Sequence, residues 1–256
     1  MTVIKTEALV LKSIPFKETS NIVRLYTKKH GKVSIIAKGA RRLKSPFRGY
    51  LEPLSYVEVI YYHKPTREIQ ILSKIEFIKA FFQNSLEITD IAYAMAIMEC
   101  VDKFIHEHQK DEAVFLLVIN VMKFMDSNRD FIKEAFIYFL LEIAAMLGYK
   151  INFNTCSICK QQLKSSLYEP STGRIICKRC ADFQERVMLL RDEILDYMRI
   201  SEKANLEAGL PKLQLAKLSI DIIEFLVSYI SYHLDFPVKL KSLEILANLE
   251  FNIEEK

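Results

Sequence analysis

Four cysteines are the side chains whose types and spacing point most directly to a chemistry. They form two Cys-x2-Cys pairs, Cys156 with Cys159 and Cys177 with Cys180, and seventeen residues separate the pairs. This spacing predicts two short loops that face each other across one tetrahedral Zn²⁺. Because four thiolates fill every coordination position, none is left for an activated water. We therefore expect one structural zinc ion per chain and no catalytic metal.

Two other interpretations of these cysteines remain open. They could be four unrelated thiols of a reduced protein, or one pair could be a redox Cys-x-x-Cys motif. A fifth cysteine, Cys100, lies in an apolar helical pattern and is predicted to be a small buried hydrophobe. Residues 1–20 lack the apolar core of a secretory leader, so a reducing compartment is expected. No apolar run is long enough to predict a membrane span.

Charge is distributed unevenly along the 256 residues. Residues 1–80 carry sixteen Lys and Arg against six Asp and Glu, whereas the remainder carries twenty against twenty-six. The stretch 28–48 contains eight cations and no acid. Cations on a loop can follow a phosphate backbone, so this part predicts a surface for nucleic acid. The alternative is a solvated basic face that serves solubility.

The predicted nucleic-acid surface joins this stretch to neighbouring strands. Phe47, Tyr61 and Tyr62 could offer faces on which bases stack, although aromatic side chains on strands commonly belong to a core. The predicted contact residues are eight cations: Arg24, Lys38, Arg41, Arg42, Lys44, Arg48, Lys64 and Arg67.

The elements that must position these groups change their period near residue 80. Before that point, alternating apolar residues predict five short strands, a number that suits a small closed barrel such as the OB-fold. The strands are predicted at Thr2–Leu11, Asn21–Thr27, Val33–Lys38, Leu54–Tyr62 and 69–77. In the last of these, Ile69, Ile71, Ile75 and Phe77 are predicted to share one face.

After residue 80, apolar residues recur at a helical spacing. Helices are predicted over roughly 86–107, 112–125, 131–147, 184–200 and 211–234. The predicted class is therefore α+β. An N-terminal small β-barrel (OB-fold) domain in residues 1–80 precedes an all-helical domain in residues 81–256, which contains an inserted four-cysteine zinc ribbon at 152–183.

Common enzymatic patterns do not occur in the sequence. It contains no G-x-x-x-x-G-K-[ST], no G-x-G-x-x-G and no H-E-x-x-H motif. No catalytic residue is predicted, and the protein is not expected to be an enzyme.

Several segments, taken in order, resemble the RecO recombination-mediator family. The lysine-glycine-alanine-arginine segment and the cysteine quartet are the most specific of them, and the resemblance covers nearly the whole chain. Besides the quartet, the segments are Thr6–Leu11, Glu18–Ile22, Thr27 with His30–Lys32, Ala37–Arg42 with Lys44–Ser45, Leu51–Leu54 and Lys239–Leu243.

The resemblance implies an N-terminal OB-fold, a helical domain and an embedded zinc ribbon, with the family's basic loop at Lys38, Arg41 and Arg42. It implies a DNA repair and recombination mediator that binds single- and double-stranded DNA and anneals complementary strands. Such a mediator also helps load a recombinase onto strands coated by single-stranded DNA-binding protein. The expected partners are DNA, RecR and the C-terminal tail of the coating protein, and no membrane. The expected location is the cytoplasm, in association with the nucleoid.

Two other functional classes remain open. One is a zinc-ribbon, OB-fold RNA-binding or transcription-associated factor, because a sequence does not reveal contacts to the 2′-hydroxyl group. The other is a nucleic-acid enzyme whose active-site residues are not recognisable as a sequence pattern.

Overall fold

The computed structural model describes residues 1–107, 109–182, 186–213 and 216–254. Within them, five N-terminal strands precede the helices, and three short strands lie between helices. The mixed α+β class is therefore confirmed. The chain forms two compact units, Met1–Asp126 with Leu240–Lys256, and Ser127–Lys239. The predicted boundary between a nucleic-acid-binding domain, residues 1–80, and a helical domain, residues 81–256, stays a prediction.

Five strands form one sheet in the first unit, and all five were predicted. Each strand pairs with two others in the order β1-β2-β3-β5-β4, and β4 pairs with β1, so the ring of strands is closed. β3 and β5 are parallel, whereas the other four pairs are antiparallel. The strands are β1 (Thr2–Phe16), β2 (Ser20–Thr27), β3 (Gly31–Ala37), β4 (Ser55–His63) and β5 (Ile69–Ala80).

Apolar side chains fill the interior of this ring. Val10, Leu25 and Ile35 are fully buried there, and burying each such side chain contributes about 1.5–3 kcal/mol. Ala40 and Leu51, which belong to the loop between β3 and β4, are part of the same cluster. The basic loop is therefore anchored to the barrel by its own apolar residues.

The predicted facing of β5 is wrong in its first half. Gln70 is buried, whereas Ile69 is 38% exposed. In the pairing of β5 with β4, Ser73 is an extra residue between the partners of Ile60 and Tyr61. One inserted residue moves the side chains on its two sides to opposite faces, so the alternation that the sequence suggests is interrupted.

Three α-helices complete the described part of the first unit. The predicted helices 86–107 and 112–125 correspond to the first two, and Cys100 is fully buried, as predicted. The carboxylate of Glu99 accepts hydrogen bonds from the N–H groups of Lys241 and Ser242, at 2.7 and 3.0 Å, and so caps the last helix. The three helices are α1 (Ile88–Phe104), α2 (Glu112–Ser127) and α6 (Lys241–Glu254).

Among its described residues, the second unit contains one short 3-10 helix, Arg129–Phe131, and three further α-helices, of which α3 and α5 pack together. The predicted helices 131–147 and 211–234 correspond to these two. The helix predicted over 184–200 begins later, at Asp192, because Met188–Leu190 forms a strand that pairs with Ser166–Tyr168. Residues 183–185, which include the predicted start of this helix, lie outside the described part. The helices are α3 (Ile132–Met146), α4 (Asp192–Ser201) and α5 (Ala216–His233).

A three-stranded antiparallel sheet lies between α3 and α4 in the chain. Its strands are β6 (Ser166–Glu169), β7 (Arg174–Ile176) and β8 (Met188–Leu190), in the order β7-β6-β8. The turn between β6 and β7 needs Gly173, which has φ +63°, and an added Cβ would lie 2.2 Å from the ring of Tyr232. Among the described helices, none has the length and apolar character needed to cross a membrane.

Candidate metal centre and nucleic-acid interface

The four predicted cysteines converge at one point in the second unit. Their sulfur atoms all lie within 4.8 Å of one another, and the Sγ atoms of Cys159 and Cys177 are 3.8 Å apart. A tetrahedral ion with metal–sulfur bonds of about 2.3 Å places its sulfur ligands about 3.8 Å apart. The thiols are free of disulfides. The cluster therefore has the dimensions of a four-thiolate metal centre.

Two tight turns bring the second cysteine of each pair back beside the first. In one turn, the N–H of Lys160 donates to the carbonyl of Cys156 at 3.0 Å. In the other, the N–H of Cys180 donates to the carbonyl of Cys177 at 3.0 Å. The N–H of Ser157 donates to a carbonyl of β7 at 2.9 Å and ties the first turn to the hairpin. Local hydrogen bonds thus assemble the cluster.

Backbone N–H groups favour ionised sulfur in this cluster. Burial opposes ionisation of Cys156, but N–H groups of Cys159, Cys177 and Ile158 directed at its sulfur lower its pKa to about 6. Hydrogen bonding to Cys177 instead raises the pKa of Cys180, to about 12. Since the thiolate is the form that binds metal, the cluster is a suitable site for a soft or borderline cation.

The loop between β3 and β4 carries five of the predicted contact residues on its outside. It is a series of tight turns, in which Arg42 N–H donates to Gly39 O at 3.1 Å and Ser45 N–H donates to Arg42 O at 3.0 Å. Gly39 has φ +72°, a conformation that glycine adopts without strain. We call the following five exposed residues the loop cations: Lys38, Arg41, Arg42, Lys44 and Arg48.

Hydrogen bonds also tie the loop cations to the turn between β1 and β2. The N–H of Arg41 donates to Thr19 O at 2.9 Å, and its guanidinium donates to Lys17 O at 3.4 Å. Lys17 is itself exposed and extends the basic surface. Its local sequence does not identify it as a DNA-contact residue. Within the described residues, no loop cation forms an ion pair. None of the five charges is therefore paired with a described carboxylate, although exposed Glu52 belongs to the same loop.

A hollow of about 280 Å³ lies among the loop cations. The polar and aromatic residues that line it are Arg41, Arg42, Arg48, Asn21, Phe47 and Glu52. Phe47 also packs against the barrel core, so its ring serves the attachment of the loop. Three arginines and one glutamate thus line one concave surface, and the excess of positive charge favours an anion.

Lys64 and Arg67 lie in the loop between β4 and β5 and are both exposed. The buried side chain of Gln70 holds this loop. Its Nε2 donates to Arg67 O at 2.6 Å, and its Oε1 accepts from the N–H of Lys64 at 2.9 Å. The sequence alone does not predict this role, because regular alternation along β5 places Gln70 on the outer face. Only the bulge at Ser73, which is visible in the structure, turns its side chain inward.

Arg24 has a different environment from the loop cations. Its guanidinium, on the outer face of β2, forms ion pairs with Asp102 and Glu107. Burial opposes its charged form, but the hydrogen bonds to these two carboxylates raise its pKa. Because neighbouring acids already neutralise Arg24, we leave it out of the proposed contact surface.

Two lysines share this paired environment. Lys32 is buried, and its Nζ donates to the carbonyl of Asp102 at 2.6 Å and lies 3.8 Å from the carboxylate of Glu107. Burial is the main reason that its pKa is lowered. Lys28 forms ion pairs with Glu7 at 3.4 Å and with Glu112 at 3.5 Å. We call Arg24, Lys28 and Lys32 the covered cations.

The three predicted stacking residues have unequal exposure. Tyr61 is only 1% exposed and belongs to the barrel core. Phe47 and Tyr62 are half-buried. Core packing, the alternative interpretation of an aromatic residue on a strand, is therefore correct for Tyr61.

Comparison with known proteins gives matches along most of the chain. A family model described as Recombination protein O N terminal matches residues 1–81, and one described as Recombination protein O C terminal matches residues 85–244. The DNA repair protein RecO of Thermoanaerobacter sp. is 26% identical over 98% of this chain and 99% of its own length. That of Caldicellulosiruptor saccharolyticus is 27% identical over 94% and 97%, respectively. That of Salinibacter ruber is 35% identical, over 57% of this chain and 56% of its own length.

Proposed function

The chain belongs to the recombination protein O family, and we propose that it is a DNA repair and recombination mediator that works without catalytic turnover. It binds single- and double-stranded DNA and anneals complementary strands. It also helps load a recombinase onto strands coated by single-stranded DNA-binding protein. Membership of the family supports the repair role, and the finer activities are part of the proposal.

The observation that carries this proposal is the set of five loop cations. They are exposed, they have no acidic partner within the described residues, and hydrogen bonds hold their backbone on a closed barrel. Phosphate groups of DNA supply the missing counter-charges and release condensed counterions when they bind. Lys64 and Arg67, held by Gln70, extend this surface.

Annealing follows from the same surface. Two complementary strands repel each other because both are polyanions, and a basic surface that binds both lowers this repulsion. No covalent step is needed, so neither a nucleophile nor a nucleotide cofactor has a role.

We assign the closed ring of strands to the OB-fold. The order β1-β2-β3-β5-β4, with the parallel pair β3-β5, supports this assignment. OB-folds commonly bind oligonucleotides with the β2–β3 face and the loops β1–β2 and β4–β5. Here the covered cations lie on or beside the β2–β3 face, where carboxylates already bind them. The DNA therefore contacts the β3–β4 loop, which carries the loop cations, and the β4–β5 loop, which carries Lys64 and Arg67.

We further propose that the cysteine cluster holds one structural Zn²⁺. Cys156, Cys159, Cys177 and Cys180 supply the four ligands, and the ion stabilises the turns around β6 and β7. Metal analysis should find about one zinc ion per chain. Cys156→Ser should lose it, whereas Cys100→Ala, which removes a thiol outside the cluster, should retain it. Well under one zinc per wild-type chain, in protein purified without a chelator, would refute the assignment.

Family membership also suggests the partners. RecR and the acidic C-terminal tail of the coating protein are the proposed protein partners, and the proposed location is the cytoplasm, with the nucleoid. Annealing of strands coated with intact or tail-deleted protein tests the tail. Equal stimulation on both coats would remove the tail from the proposal.

The main experiment is a gel-shift and annealing assay on purified protein without ATP. We expect binding of single strands and duplexes, and faster annealing of bare complementary strands. Failure to anneal them would refute the mechanism. The alternative, an RNA-binding or transcription-associated factor, requires a clear preference for RNA over DNA of the same sequence.

A further inference from the structure

Two aromatic rings stack at the edge of the loop between β3 and β4. Tyr50, in that loop, and Phe77, on β5, have ring centroids 5.5 Å apart and planes inclined by 27°. Phe77 is 43% exposed, although it lies within a strand of a closed barrel. Phe77 is not part of the buried barrel cluster, so a large apolar side chain stacked on Tyr50 remains partly open to solvent.

A second irregularity in β5 accompanies this exposure. Tyr56 pairs with Lys79 and Val57 pairs with Phe77, so Ile78 is an extra residue on β5. Bulges re-aim the side chains beside them and are frequent next to binding sites. The exposed ring of Phe77 therefore lies beside a local distortion of the strand.

The ring pair adjoins the loop cations. Tyr50 follows Arg48 by two residues, a distance of at most about 7 Å along the chain. The N–H of Tyr50 donates to Phe47 O at 3.3 Å, and the side chain of Tyr50 packs against the barrel core. One ring of the pair is therefore held firmly, and it supports the exposed ring next to a row of positive charges.

We propose that the Tyr50–Phe77 pair is a stacking platform for an unpaired base of a DNA strand. This inference rests on the proposed function, because the phosphates of that strand bind the loop cations. Positive charge beside an exposed aromatic face is the arrangement by which proteins hold single strands without reading their sequence. In a duplex, each base is stacked on its neighbours and cannot lie on the platform. The pair therefore gives the protein a preference for single strands over duplexes.

The test is the affinity of Phe77→Ala for a single strand and for a duplex at the same salt concentration. Loss of one stacked base should weaken single-strand binding roughly five- to 150-fold. Duplex affinity and the salt dependence should stay unchanged, because no phosphate contact is removed. The matched control is Ile78→Ala. Ile78 is the next residue, its side chain is 45% exposed, and its loss should change neither affinity.

Two further variants separate stacking from a plain apolar contact or a folding defect. Phe77→Tyr should bind single strands like the wild type, whereas Phe77→Leu should bind as weakly as Phe77→Ala. Full binding by Phe77→Leu, or an equal loss for single strands and duplexes, would overturn the platform. If wild-type protein binds no DNA, the proposed function itself fails. If wild type binds and only the loop-cation variants weaken binding, the platform alone is refuted.

Discussion

The barrel carries two groups of positive side chains that differ in what compensates their charge. The covered cations, Arg24, Lys28 and Lys32, meet carboxylates of the first unit. The loop cations point outward, and within the described chain no acid pairs with them. The same residue types therefore serve two purposes on one barrel. The covered group binds the carboxylates of Asp102, Glu107 and Glu112, and the loop group is available to phosphate.

The comparison shows why net charge alone does not locate a nucleic-acid surface. A paired cation gains little by exchanging a carboxylate for a phosphate, since it must first lose its partner. An unpaired, exposed cation loses only water and screening ions when DNA binds. The two groups have the same sign of charge and differ in whether a carboxylate neutralises it. Variants of each group can test whether this difference decides where DNA binds.

Removal of all the loop cations should have the largest effect. With the five residues replaced by Gln, affinity for a single strand at ~150 mM salt should fall on the order of 100-fold, because about five phosphate contacts are lost. Thermal unfolding should remain close to wild type, since these side chains are exposed. Fluorescence anisotropy and a thermal melt provide both readouts. Undiminished binding would exclude the loop as the contact surface.

Arg24→Ala should show the opposite pattern. It removes the guanidinium between Asp102 and Glu107, so we expect the free energy of unfolding to fall by about 1–2 kcal/mol, with DNA affinity within twofold of wild type. Urea unfolding measures the loss, and Arg41→Ala is the exposed control that should leave stability unchanged. If Arg24→Ala instead weakened DNA binding and kept its stability, the division into covered and loop cations would be wrong.

A smaller effect should appear in the pH dependence of stability near Lys28. The hydroxyl of Tyr56 donates to the carboxylate of Glu7 and, against the opposing effect of burial, lowers the pKa of Glu7, with a further contribution from Lys28. A lowered pKa gives stability that is full above the ordinary Glu value of 4.5 and is lost as the pH falls through the folded-state pKa.

The variant that tests this is Tyr56→Phe. It should be about 1 kcal/mol less stable than wild type at pH 7, and this difference should narrow below pH ~4. Tyr62→Phe on the same strand is the matched control, since its hydroxyl makes no hydrogen bond among the described residues. A difference that does not change with pH would mean that Glu7 is not the partner that matters.

Local patterns in the sequence predicted some features well. The cysteine cluster was predictable because its ligands lie in two tight turns, so spacing along the chain determines spacing between sulfur atoms. The five strands and the change to helices were predictable from periodicity. The family resemblance also held across the chain, as the two family models show.

Features that depend on distant partners were not predictable in this way. Nothing near Arg24 in the sequence indicates that Asp102 and Glu107 neutralise it, because they are about eighty residues away. The bulge at Ser73 reverses which side chains of β5 point inward before it, so the sequence does not predict that Gln70 is buried. Tyr61 is a plausible stacking residue by type, but its strand directs it into the core, whereas Phe77 is 43% exposed.

The measurement that tests the central claim most directly is the salt dependence of single-strand affinity for three proteins. If the wild type neutralises about five phosphates, log K should fall against log salt with a slope of roughly −3.5. Replacement of Arg41 and Arg42 by Ala should reduce the steepness by about 1.4, and Arg24→Ala should leave it unchanged. The opposite result would be a wild-type slope in the variant without Arg41 and Arg42 and a flatter slope in Arg24→Ala. It would contradict the claim that the loop cations bind the DNA phosphates.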